Sequence, residues 1–223
     1  MAKRKLSQYD DLATFENVIQ PNLDELKEDY SLKGKWAKEY FNNDHPIILE
    51  LGCGKGEYTI SLAKHFPQNN FIGIDRKGAR LWAGSVNAQR HSLKNAAFLR
   101  FDISFISKVF GPGEIAEIWI TFPDPQPKNR QIKKRLTNPQ FLRMYHALLE
   151  DGGLMHLKTD NLPFHDYTLE IIQGEGHELL MCTQDLYHSG LADPLLSIKT
   201  HYEKKFLVQG IPITYLKFKL CYP

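Results

Sequence analysis

The sequence predicts an open α/β fold: a mostly parallel sheet of seven strands with helices on both faces and an antiparallel pair at one edge. Three observations carry this. Short apolar runs recur at PIILEL (46–51), NFIGID (70–75), AAFLRFD (96–102), AEIWITF (116–122) and GLMHLKTD (153–160), lengths that suit buried strands better than helices. Helical patterns fill the gaps between them, and such alternation folds as a parallel sheet. Two further runs, HELLMCTQDLY (177–187) and ITYLKFKLC (213–221), follow at a different spacing that suits an antiparallel edge pair.

Taken in order, residues 1–45 are polar and mixed. They read as an extension with a basic tip (Lys3, Arg4, Lys5) expected to be mobile, followed by a helix over DELKEDYSLKGKWAKEYF. Residues 46–223 carry the sheet. After the first strand, EYTISLAKHF repeats Tyr58, Leu62 and Phe66 at helical intervals and stops at Pro67. After the second, KGARLWAGSVNAQR places Ala79, Trp82, Ala83 and Val86 on one face. In NPQFLRMYHALLEDGG, Asn138 can cap the start, Pro139 suits the first turn and Gly152 ends the helix. Phe141, Leu142, Tyr145, Leu148 and Leu149 form its apolar stripe.

Composition narrows the class. A chain of 223 residues with 42% hydrophobic content can bury one full core. Its net charge of +2 argues for no particular partner, so the distribution of charge matters more than the sum. Cys53, Cys182 and Cys221 form no CxxC pair and the histidines do not cluster, so neither a disulfide framework nor a metal site is expected. No apolar run reaches membrane-spanning length and none follows the charged N-terminus, so a cytoplasmic protein is expected. Monomer and homodimer both remain open.

In such a sheet, ligands bind at the carboxyl ends of the strands. The first of these loops reads Glu50-Leu-Gly52-Cys-Gly54-Lys-Gly56. Its glycines allow close approach of the backbone to a ligand, but their spacing is GxGxG, not the GxGxxG that seats a pyrophosphate. Glu50 would repel a diphosphate and attract a cationic amino group. The combination favours S-adenosylmethionine, which carries an ammonium and a sulfonium, over a dinucleotide. Asp75, after the second strand, is placed to chelate ribose hydroxyls. Asp102, after the third, either meets an adenine amino group or caps the next helix.

The fourth loop is TFPDPQPKNRQIKKR (121–135). Pro123, Pro125 and Pro127 each fix φ and remove a donor, so Asp124 sits on a stiff, irregular loop. Lys128, Arg130, Lys133, Lys134 and Arg135 follow with no acidic residue among them, a pattern that suits either a solvated face or the backbone of a nucleic acid. The fifth loop, LKTDN, adds Lys158, Thr159 and Asp160. THYE (200–203) reads by itself as the start of an amphipathic helix.

Together these blocks resemble the bacterial tRNA (guanine-N7-)-methyltransferase family. LELGCGKGEY, FIGID, PDPQPKNRQIKKRLTNPQFL, LKTDN and THYEKKF occur in the family's order from about Pro46 to the C-terminus. The resemblance implies a Rossmann-like class I methyltransferase fold, S-adenosylmethionine as donor, and methylation of N7 of a guanine in the tRNA variable loop. It implies donor contacts from Glu50, Gly52, Gly54, Gly56, Asp75, Asp102 and Asp124, with Asp124 also catalytic. It implies substrate contacts from Lys128, Asp160, Thr200, Tyr202 and Glu203, and RNA contacts across Arg130, Lys133, Lys134 and Arg135. One departure stands out: the family usually has tryptophan where this chain has Gln126. Two other readings fit the residues: a methyltransferase acting on another RNA or an amine, and a non-catalytic RNA-binding protein on the same fold.

Overall fold

The computed structural model describes residues 2–222, with side chains described for 7–222. One sheet holds β1 (Val18–Ile19), β2 (Ile47–Leu51), β3 (Asn70–Ile74), β4 (Ala96–Leu99), β5 (Ile115–Thr121), β6 (Leu149–Thr159), β7 (Glu178–Thr183) and β8 (Thr214–Lys219). Their order is β1-β4-β3-β2-β5-β6-β8-β7. The pairings from β1 across to β6 are parallel, and β8 runs antiparallel between β6 and β7. The seven expected strands are present. The eighth, β1, is two residues long and pairs with β4; a run that short leaves no periodicity to read.

The helices are α1 (Ala2–Leu12), α2 (Glu57–His65), α3 (Gly78–Arg90), α4 (Ile106–Val109), α5 (Pro139–Leu148), α6 (Leu162–Gly174) and α7 (His201–Val208). Strand alternation divides the core into two layers. On one side lie Ile47, Leu49, Leu51, Ile118 and Ile120; on the other lie Ile48, Phe71, Phe98 and Trp119 with Tyr58 of α2. Asn138 caps α5 as expected, its side chain accepting from Gln140 N–H. The helix ends at Leu148 and not at Gly152, because Leu149 already pairs with Ile115 as the first residue of β6.

The helix expected over residues 24–41 does not form. Its place is taken by a 3-10 turn at Glu25–Lys27 and a π turn at Trp36–Tyr40, with Gly34 at φ 75° between them. Tertiary partners win over local propensity. Glu114 accepts the N–H groups of Gly34 and Trp36, Val109 O accepts the Trp36 indole, and Tyr30 N–H donates to Lys108 O. Trp36 is wholly buried against Tyr30, Tyr40 and Phe110. At the amino end, α1 docks on α3: Trp82 Nε1 donates to Asp11 at 2.8 Å. A Cβ on Gly78 would lie 2.5 Å from the Tyr9 ring. The side chains of the basic tip, Lys3, Arg4 and Lys5, lie outside the described residues.

Among the described residues, no helix is long and apolar enough to cross a membrane. No group of three or more His, Cys, Asp or Glu among them could hold a metal ion.

Candidate active site

The chain runs from β2 outward through β3 to β4, then returns to start β5 on the other side of β2. This reversal opens a crevice at the carboxyl ends of β2 and β5. Above β2, Gly52, Gly54 and Gly56 all adopt positive φ (73°, 58° and 64°), a conformation costly for any residue with a Cβ. Asp75 straps this turn to the next, accepting Gly54 N–H at 3.0 Å and Lys77 N–H at 2.8 Å. A Cβ on Gly54 would meet nothing within 4 Å, so this face of the turn is open, whereas one on Gly56 would lie 2.3 Å from Phe98.

Glu50 lies under that turn and is only 3% exposed. Thr121 Oγ1 donates to one carboxylate oxygen at 2.6 Å; Thr59 donates to the other through both its N–H and its hydroxyl. Burial pushes the Glu50 carboxyl up to about 7, against those hydrogen bonds, which favour the charged form. A carboxylate has about four acceptor sites, so three donors leave capacity for one more.

A pocket of about 160 Å³ opens beside these groups, lined by Glu50, Gly54, Arg80, Thr121, Phe122 and Tyr202 among others. A larger, more open groove of about 740 Å³ runs past Phe15, Tyr40 and Lys94 near the start of β4. It contains none of the rim carboxylates and is a surface furrow. Asp102 lies further along the rim, where it caps the short turn after β4 through Ser104 N–H and pairs with Arg76 at 2.8 Å. Burial works against its charge, but those two donors outweigh it and hold its carboxyl below the ordinary value.

After β5 the proline loop is strained as well as stiff. Phe122 and Gln126, neither of them glycine, adopt φ of 48° and 47°. Asp124 is exposed, and one of its carboxylate oxygens accepts Gln126 N–H at 3.0 Å. Phe122 stacks on Phe206 of α7 with ring centroids 6.1 Å apart. Downstream, Lys128, Arg130, Lys133 and Lys134 are exposed, and none is in an ion pair among the described residues. Arg135 differs: its guanidinium lies 4.2 Å over the Tyr167 ring and donates to the carbonyls of Pro125 and Gln126.

After β6, Lys158 and Asp160 part company. Asp160 is half-buried, and burial raises its carboxyl. Lys158 points inward, has no exposed surface and pairs with Glu203 at 2.8 Å. Glu203 also accepts the Tyr187 hydroxyl at 2.6 Å and closes a capping box with Thr200, whose side chain accepts Glu203 N–H. Thr200 and Glu203 therefore spend their polar atoms on holding α7, while Tyr202 stands 47% exposed at the pocket mouth. Sequence reasoning missed Arg80 and Phe122 as pocket residues. The Arg80 position on the second crossover helix could have suggested it; Phe122 became visible only once its backbone angle was known.

The chain matches the family model described as "Putative methyltransferase" over residues 44–216. It is 50% identical over 221 residues to a tRNA (guanine-N(7)-)-methyltransferase of Christiangramia forsetii, covering 98% of this chain and 99% of the relative. The chain belongs to the tRNA (guanine-N7-)-methyltransferase family. A family member of Bacteroides thetaiotaomicron is 44% identical over 99% of this chain and 87% of its own length. Among solved structures, the 16S rRNA methyltransferase KamB shares the fold, with TM-score 0.64 at 13% identity over 83% of this chain and 92% of that one. The family is S-adenosylmethionine-dependent, and this methyltransferase's turn suits that donor. The open face at Gly54, the carboxylate of Glu50 below it and the absence of a third-spaced glycine for a diphosphate all fit a cationic nucleoside.

Proposed function

We propose that this cytoplasmic chain transfers a methyl group from S-adenosylmethionine to N7 of a guanine in the tRNA variable loop. One observation carries the reading: the glycine turn, the Asp124 loop and the exposed cations 128–134 all lie on the loops after two adjacent strands, β2 and β5.

Glu50, the Gly52–Gly56 turn and Asp75 would hold the donor, with Asp102 further along the rim. When bound, S-adenosylmethionine supplies an electrophilic methyl group on a sulfonium centre. Guanine N7 carries an in-plane lone pair and no proton, so no strong general base is required. The work left to the chain is orientation, with reacting atoms about 3 to 3.5 Å apart. Asp124 stabilises the positive charge that develops on the purine. Asp160 accepts from the guanine N1–H and N2–H edge, and Tyr202 offers a ring at the mouth. N7 lies on the major-groove edge, closed to side chains in A-form RNA, so the target base is one exposed in a loop or turned out of its stack. Lys128, Arg130, Lys133 and Lys134 hold the phosphates that present it.

The test is methyl transfer to unmodified tRNA, followed by digestion and mass spectrometry of the nucleosides. Appearance of 7-methylguanosine supports the reading; donor binding without any methylated nucleoside overturns it. For four phosphate contacts the slope of log K against log salt should be about −3. A slope near zero removes the clamp.

A further inference from the structure

We propose that Arg135 is a positioning residue for Asp124, not a phosphate contact, and that Tyr167 is the platform it works from. The inference rests on the reading of Asp124 as the group that faces the reacting base.

A continuous chain of contacts joins the two. The Arg135 guanidinium carbon lies 4.2 Å from the centroid of the Tyr167 ring, a cation–π contact from which Arg can gain more than Lys because its planar group can stack. From that position Nε donates to Pro125 O at 3.2 Å, and Nη2 donates to Gln126 O at 3.3 Å. Gln126 in turn donates its N–H to the Asp124 carboxylate at 3.0 Å. Arg135 is partly buried, unlike the exposed Lys128, Arg130, Lys133 and Lys134 that precede it.

The arrangement has a physical purpose. Gln126 holds φ of 47° without being glycine, which costs roughly 1–2 kcal/mol unless neighbours fix it. Pro125 and Pro127 remove the two flanking N–H donors, so the loop has little backbone hydrogen bonding of its own. The carbonyls left behind need a donor, and Arg135 supplies it from outside the loop. Tyr167 is carried on α6, whose Thr168 side chain also bonds Thr137 at 2.8 Å. The segment following the basic run is thus pinned to a helix, and the loop's curvature is set by an element remote from the donor. The Arg135 contact uses only the backbone of Gln126 and makes no demand on its side chain.

The test separates a phosphate contact from a positioning role. Arg135→Lys keeps the charge and loses the fork and the stack. In the full-length protein, we expect the single-turnover rate at saturating tRNA to fall tenfold or more. The salt slope of tRNA binding should stay that of the unaltered protein. Tyr167→Leu should reproduce the loss with every cation intact, and Tyr167→Phe should restore the rate. Amide hydrogen exchange of Gln126 gives a readout independent of catalysis: it should speed up in Arg135→Lys and Tyr167→Leu and not in Lys133→Ala. If Arg135→Lys leaves exchange and rate unchanged, or if Arg135→Ala lowers the salt slope as much as Arg130→Ala does, the proposal is overturned. If exchange behaves as expected while the unaltered protein makes no 7-methylguanosine, the positioning stands and the functional reading falls instead.

Discussion

Lys158 Nζ lies 2.8 Å from Glu203 Oε1, and neither side chain has any exposed surface. Lys158 also donates to the carbonyls of Leu196 and Ile198, and Tyr187 donates to Glu203. A buried pair is weak evidence of net stabilisation, but removing one partner strands the other charge without water. The pair therefore locks β6 to α7 and to the segment that leads into it.

Lys158→Met alone, or Glu203→Gln alone, is expected to destabilise the fold by about 3–5 kcal/mol. The double substitution should cost clearly less than the two singles added together, because no charge is then stranded. Denaturant unfolding of the four proteins measures this; strict additivity would mean that the two charges do not interact.

Glu50 gives a pH dependence with a definite sign. Its carboxyl stands at about 7 in the folded chain against an ordinary 4.5. The folded state therefore holds the proton more tightly, so this group's contribution to stability is complete below about pH 4.5 and is lost as pH rises through about 7. Relative to the unaltered protein, Glu50→Gln should gain about 2–3 kcal/mol on going from pH 4.5 to pH 8. Thermal or denaturant unfolding across that range checks it, and a constant difference between the two proteins contradicts it.

The same carboxyl predicts how the donor binds. An ammonium group needs Glu50 ionised, and in the free chain that form is the minor one below about pH 7. Affinity for S-adenosylmethionine should rise about eightfold from pH 6 to pH 7.5, and Glu50→Gln should bind weakly with a flat profile. Calorimetry at several pH values decides; a flat profile for the unaltered protein would place the ammonium elsewhere.

Gly54 and Gly56 should respond differently to alanine. Both carry positive φ, but a Cβ on Gly54 enters open space and one on Gly56 strikes the Phe98 ring. Gly54→Ala is expected to fold with a loss of about 1 kcal/mol while losing tenfold or more in donor affinity. Gly56→Ala should fail chiefly by unfolding at lower denaturant. Paired unfolding and donor titrations separate the two cases.

The strands and the helices α2 and α5 were legible because their apolar residues repeat locally, and the Asp124 loop was legible because its prolines are local too. α3 forms as expected, but its buried face is Gly78, Leu81, Gly84, Ser85 and Ala88, not Ala79, Trp82, Ala83 and Val86, because small residues carry that face and Trp82 turns to Asp11 of α1. The helix expected over residues 24–41 failed because Glu114 and Val109, far along the chain, claim its backbone and the Trp36 indole. Lys158 reads as a rim group and Glu203 as part of an amphipathic helix or a substrate contact, and only the packing of β6 beside α7 shows that they pair with each other. Arg135 reads as one cation among five in the sequence. Its difference lies in Tyr167, a residue whose position on α6 carries no sequence mark.

The strand order has a consequence for synthesis on the ribosome. β8 inserts between β6 and β7, both of which are made before it, so β6 keeps an unpaired edge until residues 214–219 have left the exit tunnel. The pocket wall from α7 also arrives late, after the glycine turn and the Asp124 loop are already formed. A translation product cut short anywhere before β8 would lack the strand that closes the sheet. It would expose a hydrogen-bonding edge, a template for pairing with other chains and so for aggregation.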